Sequence, residues 1–288
     1  FWAGSAECRA GDLGRAGRRG GRSTPGGPLL GRYARAMSQL DTPPPITSDD
    51  VACILSTSGT TGKPKAVLFT HNNLIFSERS FVKGTERTAD DVMFMASPLN
   101  HATGFFHGLI SPMILGGRTV LQQDFRPAQA IEQMNREGCT WSMGATPFSY
   151  GMLKCIEFGD GPRFETLQLF LCGGAPVPGN LVQCAHGHGV MLAEIYGSTE
   201  SCPHIFVPPA KCLEWNGAWS GIPFPGIEVR IVDGDRNAVP RGEQGEEIPR
   251  GPHPFVGYLN ATERTAPPLD ADARAYSGAL GSLAQEQR

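Results

Sequence analysis

The sequence predicts an α/β protein, a mostly parallel sheet flanked by helices and followed by a small antiparallel β unit. Two observations carry that prediction. From Asp50 onward, apolar runs of strand length alternate with longer helix-like segments, the order that builds a parallel sheet. After about Pro203 the texture changes: Gly226–Asp233 (GIEVRIVD) alternates with period two, and Gly- and Pro-rich turns follow it.

Taken in order, strands are expected at Val51–Ser56, Val92–Ala96, Thr119–Leu121, Thr140–Met143, Leu167–Leu171 and Val190–Ile195. Helices are expected between them at Asn73–Val82, Gly104–Leu115, Pro127–Glu137, Phe148–Ile156 and Pro178–His186. Pro127 and Pro178 suit a first helical turn, where the missing N–H costs nothing. Residues 1–45 read differently. Up to Ala36 they hold nine glycines and seven arginines against two acids, without helical or strand period, and are expected to form a disordered or non-native leader. The expected division is therefore a leader over 1–45, an α/β core over 46–203, a β-rich end over 204–281 and an unstructured tail over 282–288.

The bulk numbers narrow the classes. A chain of 288 residues that is 40% hydrophobic can bury a substantial core. A net charge of -3 gives no footprint for nucleic acid. No apolar run is long enough to span a membrane and no secretory signal is visible. The eight cysteines form no CxxC pair and no zinc spacing, so they read as reduced thiols in a cytoplasmic protein. His186-Gly187-His188 has no third ligand close in sequence and reads as an exposed turn.

The strongest chemical signal is Ser56-Thr57-Ser58-Gly59-Thr60-Thr61-Gly62-Lys63-Pro64-Lys65, between a strand candidate and the apolar stretch Ala66–Phe69. Hydroxyls and backbone N–H groups at this density make a cradle for phosphate oxygens. Gly59 and Gly62 allow close backbone approach, and Lys65 adds a point charge for the same anion. It is not a Walker A loop, which places four residues between its glycines and Ser or Thr after its Lys. Further along come Asn100-His101-Ala102-Thr103-Gly104-Phe105, Cys172-Gly173-Gly174-Ala175-Pro176 and Tyr196-Gly197-Ser198-Thr199-Glu200, the latter two at strand ends. Paired glycines suit a backbone that passes close to a flat ring. Gly245-Glu246-Glu247-Ile248 with Gly257-Tyr258-Leu259, and Tyr276-Ser277-Gly278-Ala279, complete the series.

In order and spacing these segments resemble the motifs of the adenylate-forming superfamily, over about Asp50 to Gly281, and most of all AMP-forming acyl-CoA synthetases of the bacterial short- and medium-chain kind. The resemblance implies ATP, Mg2+ and coenzyme A as partners of a small carboxylic acid. It implies that Thr57, Ser58, Gly59, Thr60, Thr61, Gly62 and Lys65 hold the β- and γ-phosphates, and that Gly173, Gly174, Ala175, Tyr196 and Gly197 border adenine. Thr199 would bond the α-phosphate, Glu200 would hold Mg2+, and Thr199, Glu200 and Lys65 would form the catalytic set. His101 and Phe105 would line the acyl pocket, while His107 is left a structural role. Two departures stand out: Ala66 where the family has Gly, and Ala279 where it has an Asp for the ribose hydroxyls. The resemblance also implies that the start of the large domain and the small C-terminal domain, with its lysine, lie outside these residues, so that the chain alone is expected to be a poor catalyst. An aliphatic acid is expected over an amino acid, because His101–Gly108 and Gly144–Phe148 hold no Asp to pair a buried ammonium. A non-catalytic nucleotide- or acyl-binding remnant and a luciferase-like oxygenase are the alternatives.

Overall fold

The computed structural model describes residues 45–57, 64–159, 161–260 and 278–284. The fold is that of the compact unit beginning at Thr47. The expected leader, apart from Pro45, lies outside the described residues.

Strands β1 (Val51–Ser56) and β2 (Ala66–Thr70) form an antiparallel hairpin that pairs Ser56 with Ala66. Helix α1 (His71–Gly84) follows at once, because Thr70 and Asn73 close a reciprocal cap: Asn73 N–H donates to Thr70 Oγ1 at 3.2 Å and Thr70 N–H to Asn73 Oδ1 at 3.0 Å. Strand β3 (Val92–Met95) leads to a π-helix over Thr103–Ile110 and a short α2 (Ser111–Leu115). Then come β4 (Arg118–Leu121), α3 (Pro127–Glu137), β5 (Trp141–Ala145), α4 (Thr146–Phe158), β6 (Leu169–Gly173), α5 (Gly179–Gly187) and β7 (Met191–Ser198). The chain finishes with strands β8 (Cys202–Phe206), β9 (Ile222–Pro223), β10 (Glu228–Val232), β11 (Gly245–Arg250), β12 (Gly257–Tyr258) and β13 (Leu280–Gly281).

Three sheets result. The largest has the order β4-β3-β5-β6-β7-β8-β9. Every pairing from β4 to β7 is parallel, and β8 and β9 add an antiparallel edge. Its strands are buried on both faces, with Trp141, Leu169, Phe170 and Leu192 in the main core. The second sheet is β1-β2-β12 and the third β10-β11-β13, both antiparallel. A smaller core of Leu55, Val67, Phe69, Phe106, Phe255 and Tyr258 lies between the second sheet and the π-helix.

The predicted class holds, and four particulars differ. First, β1 does not belong to the parallel sheet: it pairs only within the hairpin's own sheet. Second, the helix expected over Gly104–Leu115 begins as a π-helix, with Ser111 N–H reaching back five residues to Phe106 O. Its glycines are packed too closely for side chains, since a Cβ on Gly104 would meet Pro98 O at 2.1 Å and one on Gly108 would meet Met95 at 2.7 Å. Third, Pro178 is the cap residue of α5 rather than a member of its first turn. Fourth, the expected boundary at 203/204 falls inside β8, which completes the main sheet. Pro127 does open α3, as its fixed φ suggests.

Candidate active site

The carboxyl ends of β3, β5, β6 and β7 converge on one cleft of about 490 Å³. This is where open parallel sheets bind ligands. Its walls are Ser97, Pro98 and His101 after β3; Met143–Ala145 on β5 with Phe148; Gly173 at the end of β6 with Gly174 after it; and Ile195–Ser198 on β7, followed by Thr199 and Cys202. The π-helix contributes Thr103, Phe106 and His107. No Asp, Glu, Lys or Arg lines it among the described residues.

The structure brings six of the residues read from the sequence to the cleft. His101, Gly173, Gly174, Tyr196, Gly197 and Thr199 all face this cleft. Ala175 is exposed at its margin, where its carbonyl accepts the Thr146 hydroxyl at 3.3 Å. Phe105 does not line the cleft: it packs half-buried on the smaller core, and its neighbours Phe106 and His107 line the cleft instead. Ser58, Gly59, Thr60, Thr61 and Gly62 lie outside the described residues. The ends of their loop are stitched together, with Thr57 N–H donating to Lys65 O at 3.0 Å and Lys65 N–H to Thr57 Oγ1 at 3.1 Å.

His101 Nδ1 accepts the Thr103 N–H at 3.2 Å, which makes Nε2 the protonated nitrogen of the neutral ring. Desolvation lowers its pKa and favours that neutral form. His107, expected to be structural, is both anchored and on the cleft. Its Nδ1 lies 3.0 Å from the buried carboxylate of Glu78, which also takes the Ser111 hydroxyl, and Phe81 stacks on the ring at 4.1 Å. The signal for it was the spacing of four from Thr103.

Lys65 and Glu200 are brought together by Tyr258, a residue of the segment Gly257-Tyr258-Leu259 that was expected to be mainly structural. Tyr258 donates its hydroxyl to Glu200 Oε1 at 2.8 Å and accepts from Lys65 Nζ at 3.2 Å. The ammonium also sits 4.7 Å from the centre of the tyrosine ring. Burial first, then the Glu200 hydrogen bond and charge, push the phenol pKa up, so it stays a donor. Backbone bonds fix this meeting. Phe255 N–H donates to Glu200 O at 2.8 Å, Val256 N–H to Leu68 O at 3.0 Å and Leu259 N–H to Ala66 O at 2.9 Å. Segment 255–259 therefore ties the turn after β7 to the strand that starts beside Lys65.

A carboxylate next in sequence to Thr199, and a lysine ammonium bridged to it by Tyr258, thus adjoin a cleft that no charged residue lines among the described residues. Residues 16–259 match the family described as AMP-binding enzyme. The chain belongs to that family. Among AMP-binding relatives it is 40% identical over 232 residues to the medium-chain fatty-acid–CoA ligase of Escherichia coli (strain K12), covering 81% of this chain and 41% of that protein. It is 30% identical to a feruloyl-CoA synthase of Amycolatopsis sp, covering 84% of this chain and 50% of the relative. The chain thus spans about half the length of these relatives or less. The solved structure of VinN superposes with a TM-score of 0.79 at 25% identity, over 89% of this chain and 64% of VinN. The o-succinylbenzoate coenzyme A synthetase of Bacillus subtilis, solved in complex with ATP and magnesium ion, gives 0.75 at 29% identity, over 83% of this chain and 49% of that one.

The remaining sequence readings can be placed on this AMP-binding fold. Seven cysteines among the described residues are free, and burial raises the thiol pKa to about 11 at Cys53 and about 12 at Cys172. His188 ends α5 half-buried, with Nε2 at 2.5 Å from Glu157 and Cys184 close by, so it is neither free nor simply exposed. Among the described residues no helix is long and apolar enough to cross a membrane.

Proposed function

We propose that the chain carries the adenylate-forming site of an acid–CoA ligase whose substrate is a short- or medium-chain fatty acid. The observation that supports this most is the meeting of Lys65, Tyr258 and Glu200 at the mouth of a cleft walled by His101, Gly173, Tyr196 and Thr199. In this reading one carboxylate oxygen of the acid attacks the α-phosphorus of ATP. The bond to the bridging oxygen breaks, and pyrophosphate leaves. Thr199 donates to the α-phosphate, Lys65 holds the outer phosphates with Thr57 and the loop 58–62, and the cleft aligns the acid. Tyr196 and Gly173–Ala175 border the adenine.

Glu200 would hold Mg2+. The donor set fits, because one half-buried carboxylate beside phosphate oxygens is what that cation takes while keeping its waters. Bound there, it would supply charge neutralisation for the leaving pyrophosphate. The coenzyme A thiol then displaces AMP from the acyl-AMP, giving the thioester.

A fatty acid is favoured over an amino acid, since among the described residues no carboxylate lines the cleft to pair a buried ammonium. The 40% relative's name agrees with a medium chain. A cytoplasmic location belongs to the same reading and rests on the free, buried thiols. The deciding experiment is pyrophosphate–ATP exchange with a panel of acids. Weak exchange, stimulated by short- and medium-chain fatty acids over other acids, is expected. Exchange driven by amino acids instead would refute the substrate assignment.

One observation favours a second reading, a nucleotide-binding remnant: residue 279, where the resemblance expects Asp, is Ala, and its carbonyl accepts the Glu247 N–H at 2.9 Å. ATP binding without exchange would select it. In either case Ala279→Asp should tighten AMP binding by about tenfold, the worth of a charge-assisted hydrogen bond; calorimetric titration of both variants checks it.

A further inference from the structure

Behind the turn Tyr196–Glu200 lies a polar cluster that the chemistry above does not use. Ser198 Oγ, on the cleft, accepts the Ser201 N–H at 3.2 Å and lies 3.1 Å from Ser201 Oγ. Ser201 Oγ is 3.0 Å from His204 Nδ1, and His204 Nε2 faces Glu247 Oε1 at 3.1 Å in a close polar contact outside hydrogen-bond geometry. The Glu247 N–H in turn donates to Ala279 O at 2.9 Å. The connection starts at the cleft, passes through β8 and β11, and ends on the segment that carries residue 279. Ser201 and His204 are each 1% exposed and Glu247 4%. Tyr196, the residue expected on adenine, stands edge-on against the His204 ring at 5.3 Å, and the buried His253 ring is 6.0 Å away.

The order Ser–His–Glu is that of a hydrolytic triad, but a nucleophile has to reach a substrate. Ser201 is buried and does not line the cleft. Nor is the pair an economical way to hold the fold together. Withdrawing a histidine and a carboxylate from water is costly, and well-packed apolar residues of the same volume usually stabilise as much or more. What apolar residues cannot supply is direction. A hydroxyl bonded on two sides has its rotation fixed, and so has the turn whose Ser198 it holds.

We infer that Ser201, His204 and Glu247 are positioning residues for nucleotide binding. They lock the turn that presents Tyr196, Thr199 and Glu200 in one register with the segment 278–281, so that the adenine, phosphate and ribose sides of the site are held as a unit. The inference rests on the nucleotide reading of the site.

The test is calorimetric titration of AMP, beside thermal melting, in the unmodified chain and in four variants: Ser201→Ala, His204→Gln, Glu247→Gln, and His204→Val combined with Glu247→Ile. Each single variant is expected to weaken AMP by about three- to tenfold, the range that one buried hydrogen bond controls. The apolar double variant is expected to melt at or above the unmodified chain and still to bind AMP about tenfold more weakly. Full AMP affinity in the double variant would mean that the pair serves packing alone, and would overturn the inference. Should the polar-to-amide variants fail to fold, the double variant still decides. Should that fail too, Ser201→Ala decides, since loss of one hydroxyl leaves the packing intact and unchanged AMP affinity would overturn the inference. An unmodified chain that does not bind AMP at all removes the nucleotide reading itself, and this inference with it.

Discussion

A phenol hydroxyl between a carboxylate and an ammonium can donate to one while it accepts from the other, and Tyr258 does both. Tyr258→Phe should therefore release Glu200 and Lys65 together. A hydrogen bond to a charged group is worth about 1.5–3 kcal/mol, so Mg·ATP affinity should fall roughly ten- to a hundredfold, with much less change for AMP, which lacks the outer phosphates. Calorimetry with both nucleotides checks this, and equal losses would show that Tyr258 does not act at the phosphate end. Another residue sets a pH dependence. His253 is fully buried; burial first and His204 second push its pKa down to about 3. In the unfolded chain it titrates near 6.5, at about the ordinary histidine value. Between those values the unfolded state binds a proton that the folded state refuses, so this residue's share of stability is lost as pH falls through that window, by up to about 1.4 kcal/mol per pH unit. Urea midpoints at pH 7, 6 and 5 should fall for the unmodified chain and fall less for His253→Gln; parallel curves would exclude His253 as the cause. Most cleft residues were legible because motif residues cluster at strand ends. Tyr258 was not: its role depends on pairing with Val67, far away in sequence, which no local pattern reports.

At the scale of elements, the hairpin of β7 and β8 decides how the site is presented. Its register shifts between Tyr196 and Gly197, a bulge in which His204 is the extra residue on β8 between the pairs Tyr196–Ile205 and Gly197–Pro203. Cys202, paired with Ser198 at the turn end of the hairpin, takes φ 53°, in the left-handed region that non-glycine residues rarely adopt. Such irregularities re-aim side chains beside a site. Gly197 permits it, because a Cβ there would meet Cys202 O at 2.1 Å and Pro203 Cα at 2.7 Å, both backbone. Gly197→Ala should force the two strands apart, at a cost of roughly 1–3 kcal/mol, and abolish AMP binding while the rest of the sheet persists. Circular dichroism with AMP titration reads both, and an alanine variant that binds AMP normally would refute the role given to the bulge. The parallel strands were legible because each is an apolar run followed by a helix start. The hairpin β1–β2 was misplaced because VACILS reads the same in either kind of sheet, and only its partner β12 reveals the difference. The π-helix was hidden for a related reason: the apolar pattern of Thr103–Ile110 fits an ordinary helix, and the departure comes from Gly104 and Gly108 packing on Pro98 and Met95.

For the whole molecule, the site is assembled from parts that do not share a sheet. Lys65 lies at the start of the hairpin sheet's second strand and Glu200 follows the last parallel strand of the main sheet. Between them only Tyr258 and the backbone bonds of 255–259 make a polar bridge among the described residues. A nucleotide whose phosphates touch Lys65 and Glu200 while its base meets Tyr196 would add a second bridge, made only when both sheets are in place. A ligand that binds the folded state alone stabilises it by RT ln(1 + [L]/Kd), about 2.7 kcal/mol at a hundredfold excess over Kd. For a domain of this size 1 kcal/mol moves the melting temperature by roughly 2–4 °C, so saturating Mg·ATP should raise it by about 5–10 °C. The bridging argument makes a stronger claim than the shift alone. Tryptophan fluorescence follows the main sheet through the buried Trp141, and hydrogen exchange at Val67 and Leu68 follows the hairpin sheet. Both should be protected by the same increment when Mg·ATP is added, and neither by Mg2+ alone. Protection confined to the main sheet would show that the nucleotide does not reach Lys65, and would remove the hairpin from the site.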